Sequence, residues 1–140
     1  MRTLADNVRS GEWKGASGKQ MTDIVHIGIG GSHLGPELAC EALCYSDNSM
    51  LRVHFLSNID GGQFDRIVTP LDPTSTLFIV ASKSFTTTET LLNATSAKSW
   101  LTNRFPEHDA IARHFVAITG TKEPARQFGT VSYTPLRAHA

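Results

Sequence analysis

The chain has little of what marks several whole classes of protein. Its 140 residues include only two cysteines, Cys40 and Cys44, one helical turn apart in Pro36-Glu37-Leu38-Ala39-Cys40-Glu41-Ala42-Leu43-Cys44. Two side chains on one helix face are poorly placed for a disulfide, and with no clustered histidine beside them they make no zinc set. Small buried hydrophobes are the expectation for both. Charge of one sign is missing as well: thirteen Lys and Arg balance thirteen Asp and Glu, so no net field draws nucleic acid or an anionic membrane to the surface. No apolar run approaches the roughly 20 residues of a membrane span, and Met1-Arg2-Thr3-Leu4-Ala5-Asp6 lacks the charged-then-apolar layout of a signal peptide. Repeats, charge blocks and low-complexity linkers are absent. These absences lead to the expectation of a cytoplasmic protein without nucleic-acid or membrane partners. With 40% apolar and 19% charged residues, the chain can bury one core and is too short for two ordinary domains.

What is present is an alternation. Apolar runs at residues 24–29, 53–56, 77–81 and 115–118 are each followed by a Gly- or hydroxyl-rich turn and a helix-like pattern. Continuous runs rich in Val, Ile and Phe read as strands covered on both faces. The spacing therefore predicts an α/β fold with a parallel sheet between helices, a three-layer α/β/α sandwich. The first crossover helix is expected to be capped by Gly35 and to start at Pro36, where a missing N–H costs nothing. A short helix is predicted over residues 63–68, stopped by Pro70, and a long one over residues 87–103 with Thr86 and Glu89 as a capping box. A short helix through Ile111 and a last one over residues 122–128, stopped by Gly129, complete the reading.

Two turns carry the candidate chemistry. Gly28-Ile29-Gly30-Gly31-Ser32-His33-Leu34-Gly35 follows the first strand, at the carboxyl edge where ligands collect in open α/β sheets. Glycines there let main-chain N–H groups approach an anion, and the helix that follows adds a favourable dipole. The turn is not a dinucleotide fingerprint, because His33 stands in place of the third glycine of G-x-G-x-x-G. It is not an ATP phosphate loop either, because Pro36 and Glu37 follow Gly35 where Lys and Ser or Thr are needed. A tight structural turn without a ligand is the alternative.

The second turn, Ser82-Lys83-Ser84-Phe85-Thr86-Thr87-Thr88-Glu89-Thr90, leaves the third strand in the same way. The hydroxyls of Ser82, Ser84 and Thr87, with Ser32 across the gap, suit a phosphate. Hydrogen bonds to a charged acceptor contribute roughly 1.5–3 kcal/mol each, so four or five hold a phosphate without a basic cluster. Lys83 serves through its ammonium or through its amide. The competing reading is a Ser/Thr-rich helix cap that merely ends a strand. The six histidines, His26, His33, His54, His108, His114 and His139, are scattered, and those at strands are expected to be satisfied structural residues. No Ser/His/Asp set, close carboxylate pair or metal spacing can be assembled from these positions. Chemistry beyond binding is not visible, and no cofactor or metal is expected.

Three segments together resemble the glucose-6-phosphate isomerase family: Ile27-Gly28-Ile29-Gly30-Gly31-Ser32-His33-Leu34-Gly35-Pro36, Val53-His54-Phe55-Leu56-Ser57-Asn58-Ile59-Asp60-Gly61, and residues 79–90. Gly11-Glu12-Trp13-Lys14-Gly15 upstream and His114-Phe115-Val116-Ala117 downstream fit the same family in the same order. The resemblance implies a sugar isomerase (SIS) domain of flavodoxin-like architecture over residues 1–129, gripping a small-molecule sugar phosphate. It carries the family's substrate contacts onto Gly31, Ser32, Ser82, Lys83, Ser84 and Thr87. It also implies an aldose–ketose isomerase acting through an enediol in glycolysis and gluconeogenesis, as a homodimer. The family's Glu base, its charge-stabilising Arg and its ring-opening His and Lys come from segments beyond the matched part, so the isolated chain is expected to bind without isomerising. A regulatory domain that senses a phosphosugar without chemistry is the alternative, and a nucleotide-binding domain is a weaker third. His33 stands where the family usually has Asp, and Ser84 where it usually has Thr. Residues 130–140 no longer follow the family and are set apart as a divergent tail, for which disorder is one expectation.

Overall fold

The computed structural model of the chain describes residues 2–43, 50–106, 109–130 and 132–135. The expectations attached to Cys44, His108 and His139 fall outside the described residues. Five strands form one sheet: β1 (Asp23–Ile27), β2 (Arg52–Leu56), β3 (Thr76–Ala81), β4 (Phe115–Thr119) and β5 (Ser132–Pro135), in the order β2-β1-β3-β4-β5. Every neighbouring pair is parallel. Helix α1 (Arg2–Ser10) precedes the sheet, and α2 (Gly31–Leu43), α3 (Gly61–Val68), α4 (Thr88–Arg104), α5 (Ala110–His114) and α6 (Lys122–Phe128) connect its strands. The chain thus adopts the expected three-layer α/β/α architecture. Among the described residues no helix is long and apolar enough to cross a membrane.

The strand order turns back on itself between β1 and β3. From β1 the chain moves outward to β2 and then returns past β1 to β3, pairing Ile27 with Val80. The turns leaving the two strands run off in opposite directions, the arrangement that in open α/β sheets leaves a ligand crevice at the carboxyl ends of the strands.

Side chains alternate across a strand, and the two faces of the sheet are filled unequally. Val25, Ile27, Phe78, Val80, Phe115 and Ala117 meet Phe64 and Val68 of α3 and Ala94, Ala97, Trp100 and Leu101 of α4 in one large core. Phe78 stacks on Phe115 at 4.8 Å and meets the edge of Trp100 at 5.8 Å. On the other face, Leu77 and Val116 pack with Met21 and with Val8 of α1.

Buried polar groups lock the frame. Asp23, 1% exposed, accepts from Arg52 Nη2 at 2.7 Å and Thr22 Oγ1 at 2.9 Å and meets His54 Nε2 at 2.8 Å, pinning edge strand β2 to β1. Burial pushes its carboxyl up, but these hydrogen bonds and the Arg52 charge outweigh burial and hold it below the usual range. His114 takes Ala16 N–H on Nε2 at 3.0 Å and faces Thr76 O with Nδ1 at 2.8 Å. Only a neutral ring carrying its hydrogen on Nδ1 satisfies both. Burial lowers its pKa against the opposing pull of the Thr76 carbonyl, and nearby Arg113 lowers it further.

Several boundaries differ from the sequence reading. Helix α2 begins at Gly31 rather than Pro36, because Gly30 turns the chain at φ +57° and the proline is taken inside the helix. The Thr86–Glu89 capping box does not form. Thr87 is the N-cap of α4, which puts Thr90 rather than Glu89 three residues on, while Thr86 Oγ1 pairs with Ser84 Oγ at 2.6 Å. The short helix expected to run through Ile111 starts at Ala110 and continues to His114 as α5. Cys40, expected to be buried, is exposed. The sheet also extends past residue 129: β5 satisfies the outer edge of β4 from Val116↔Ser132 to Thr119↔Pro135, so this part of the supposed tail is a strand.

Candidate functional site

The first turn is built by glycine. Gly28 N–H donates to Leu56 O at 3.2 Å, and a Cβ on Gly28 would lie 2.6 Å from Ser32 O, so only glycine lets the end of β1 approach the start of α2 this closely. Ser32 N–H donates to Ile29 O at 3.1 Å, while His33 and Leu34 N–H both donate to Gly30 O, at 3.0 and 2.9 Å. These amides close the turn on itself. Nothing lies within 4 Å of where a Cβ would stand on Gly30 or Gly31, so the glycine side of the turn is open.

The second turn is built by a buried aromatic. Phe85 sits at φ +54°, a conformation unusual for a residue with a side chain, and is 2% exposed. Its ring meets the edge of Phe128 at 5.9 Å, which anchors the turn in the large core. Around this anchor Ser82 Oγ accepts from Phe85 N–H at 3.1 Å and shares a 3.2 Å hydrogen bond with Thr87 Oγ1. Ser82 is buried, so its hydroxyl braces the turn from within, whereas Lys83 and Ser84 are exposed. Thr87 caps α4 through its backbone; its hydroxyl makes no cap bond.

A third turn, after β4, holds the second in place. Gly120 N–H and Thr119 Oγ1 donate to Lys83 O at 2.8 and 3.2 Å, and Thr121 Oγ1 donates to Ser84 O at 2.7 Å. This buttress escaped the sequence reading, although Thr119-Gly120-Thr121 repeats the signal of small hydroxyl residues directly after a strand. Phe85 escaped it too, since an aromatic among hydroxyls gives no sign of its backbone conformation.

The topology carries both turns to one edge. Gly31 and Ser32 follow β1, Ser82, Lys83, Ser84 and Thr87 follow β3, and the two strands are parallel neighbours. His33, beside the first turn, contacts Glu37 Oε2 at 3.1 Å and presents its ring edge-on to Phe55 at 5.8 Å.

A doubly wound α/β domain is the class that this strand order defines. The model of the phosphoglucose isomerase family matches residues 1–135, and the chain belongs to that family. It is 50% identical over 129 residues to the glucose-6-phosphate isomerase of Methylococcus capsulatus and 49% identical to glucose-6-phosphate isomerase 1 of Colwellia psychrerythraea, in each case over 92% of this chain and 24% of the relative. The crystal structure of a glucose-6-phosphate isomerase from Chlamydia trachomatis superposes with a TM-score of 0.80 at 30% identity, over 96% of this chain and 24% of that one. The chain thus spans about a quarter of the length of the relatives it matches. The family match also runs to residue 135, beyond the boundary expected at residue 129.

Proposed function

We propose that this chain is the phosphate-holding domain of a glucose-6-phosphate isomerase, which interconverts glucose 6-phosphate and fructose 6-phosphate through an enediol. The observation that carries this reading is the adjacency of β1 and β3, which sets a glycine turn and a hydroxyl turn on either side of one crevice. In the proposed complex the open side of Gly31 and the Ser32 hydroxyl approach the phosphate from one turn, and Lys83, Ser84 and Thr87 from the other. Ser82 completes the set by holding the Thr87 hydroxyl. The ligand is a dianion surrounded by alcohols, amides and the positive end of the α4 dipole.

The groups that move the proton are proposed to come from the remainder of an isomerase about four times as long, since this chain spans 24% of its relatives. The isolated chain then binds without turning over. The whole protein is proposed to act as a cytoplasmic homodimer in glycolysis and gluconeogenesis, with a small sugar phosphate as its ligand and neither nucleic acid nor membrane as partner. Relatives named as isomerases favour conversion over sensing.

Calorimetric titration with glucose 6-phosphate tests the site. Ser84→Ala combined with Thr87→Val is expected to abolish binding while the fold survives, and unchanged affinity would refute the assignment. A coupled isomerase assay tests the rest: turnover that persists after rigorous removal of host enzyme would contradict a domain that only binds.

A further inference from the structure

Helix α2 contains a proline where its hydrogen-bond ladder needs a donor. In an α-helix the carbonyl of residue i accepts from the N–H of residue i+4. For Ser32 that partner is Pro36, which has none. Ser32 O would be left without its helical donor one residue into the helix, within the turn proposed to line the site.

The missing donor comes from the sheet. His26 stands on β1, is 6% exposed, and brings Nε2 to 2.6 Å from Ser32 O. Its ring packs on Phe55 of β2 at 5.5 Å, which fixes its direction. Gly28 makes the contact possible, since a Cβ there would occupy the same carbonyl's place. Three residues thus form one device: Pro36 withholds an N–H, Gly28 withholds a side chain, and His26 fills the gap with a donor from a different element.

We propose that His26 is a positioning residue for the anion site, holding Gly31 and Ser32 against β1 through the carbonyl that Pro36 leaves open. The proposal rests on reading this turn as one half of a phosphate site. His26 touches no ligand in this arrangement; it acts through Ser32. The pairing of His26 with Pro36 makes a specific demand, because an N–H restored at position 36 would take over the task.

A double-mutant cycle in the full 140-residue chain tests it, with glucose 6-phosphate as the probe. His26→Leu is expected to weaken binding about tenfold, the size of one lost buried hydrogen bond. His26→Gln, whose amide reaches about as far as Nε2, is expected to stay within about threefold of the original affinity. In a Pro36→Ala background, His26→Leu is expected to cost about twofold or less, since the helix now supplies the donor itself. Equal losses in both backgrounds, or no rescue by His26→Gln, would overturn the proposal while the phosphate site stands. If the unsubstituted chain binds no glucose 6-phosphate, the site reading falls and this proposal falls with it.

Discussion

Helices α2 and α4 each follow one of the two candidate turns, yet they are held in opposite ways. Helix α4 buries Thr90, Asn93, Ala94, Ala97, Trp100 and Leu101 against the sheet. Helix α2 buries none of its thirteen residues, and Leu34 and Leu38, one turn apart, are 64% and 67% exposed. Packing therefore fixes the second turn through the helix behind it and through Phe85 in front. The first turn has much less packing of this kind, the ring of His33 meeting Phe55 edge-on at 5.8 Å. Its position comes from Gly28, from backbone bonds around Gly30, and from the His26 contact to Ser32 O. One half of the crevice is fixed by burial and the other by hydrogen bonding and glycine.

The sharpest way to break this contrast is to shorten a core residue of α4. Leu101→Ala is expected to destabilise the chain by about 2–5 kcal/mol, as large-to-small changes in packed cores do, measured by urea denaturation. Gly28→Ala comes next, at about 1–3 kcal/mol, because its Cβ meets backbone rather than a flexible side chain. It is also expected to weaken glucose 6-phosphate binding, which Leu101→Ala does only by unfolding the chain.

The pH dependence of stability separates the two supports further. The pKa values of both His26 and His114 are lowered from 6.5, in each case chiefly by burial. As pH falls below 6.5 the unfolded chain binds protons that the folded chain refuses, so stability drops until the lowered folded values are reached. A second loss follows as pH falls from 3.8 through the lowered value of Asp23, whose stabilising bonds require the carboxylate. His26→Gln is expected to make the first decline shallower and leave the second unchanged, as read from urea midpoints across pH. The smallest effect belongs to the exposed face of α2: Leu38→Gln is expected to change stability by less than about 0.5 kcal/mol.

The same contrast explains what was legible in the sequence. Strands β1, β3 and β4 stand out as apolar runs because both faces of the sheet are covered there, edge strand β2 keeps a short run although Arg52 and Val53 are exposed, and both turns stand out by their Gly, Ser and Thr content. The strand order is not written in any local run, so the convergence of the turns had to come from the sheet. Proline usually opens a helix, so the sequence points to a start of α2 at Pro36, whereas the donor that lets Pro36 sit inside lies ten residues upstream on another element. Helix α1 left only the four-residue spacing of Leu4 and Val8 as a sign. Strand β5 had no apolar run, being an edge strand held by its backbone pairing to β4. The roles of Phe85 and of Thr119 and Thr121 depend on contacts between turns, which no single stretch of sequence records.

The claim that two differently supported turns hold one phosphate is tested most directly by following backbone amide signals during titration with glucose 6-phosphate. Gly31 and Ser32 are expected to shift together with Lys83, Ser84 and Thr87, all along a single saturation curve. Shifts confined to one turn, two separate curves, or a response centred on Asp23 at the opposite edge of the sheet would contradict it.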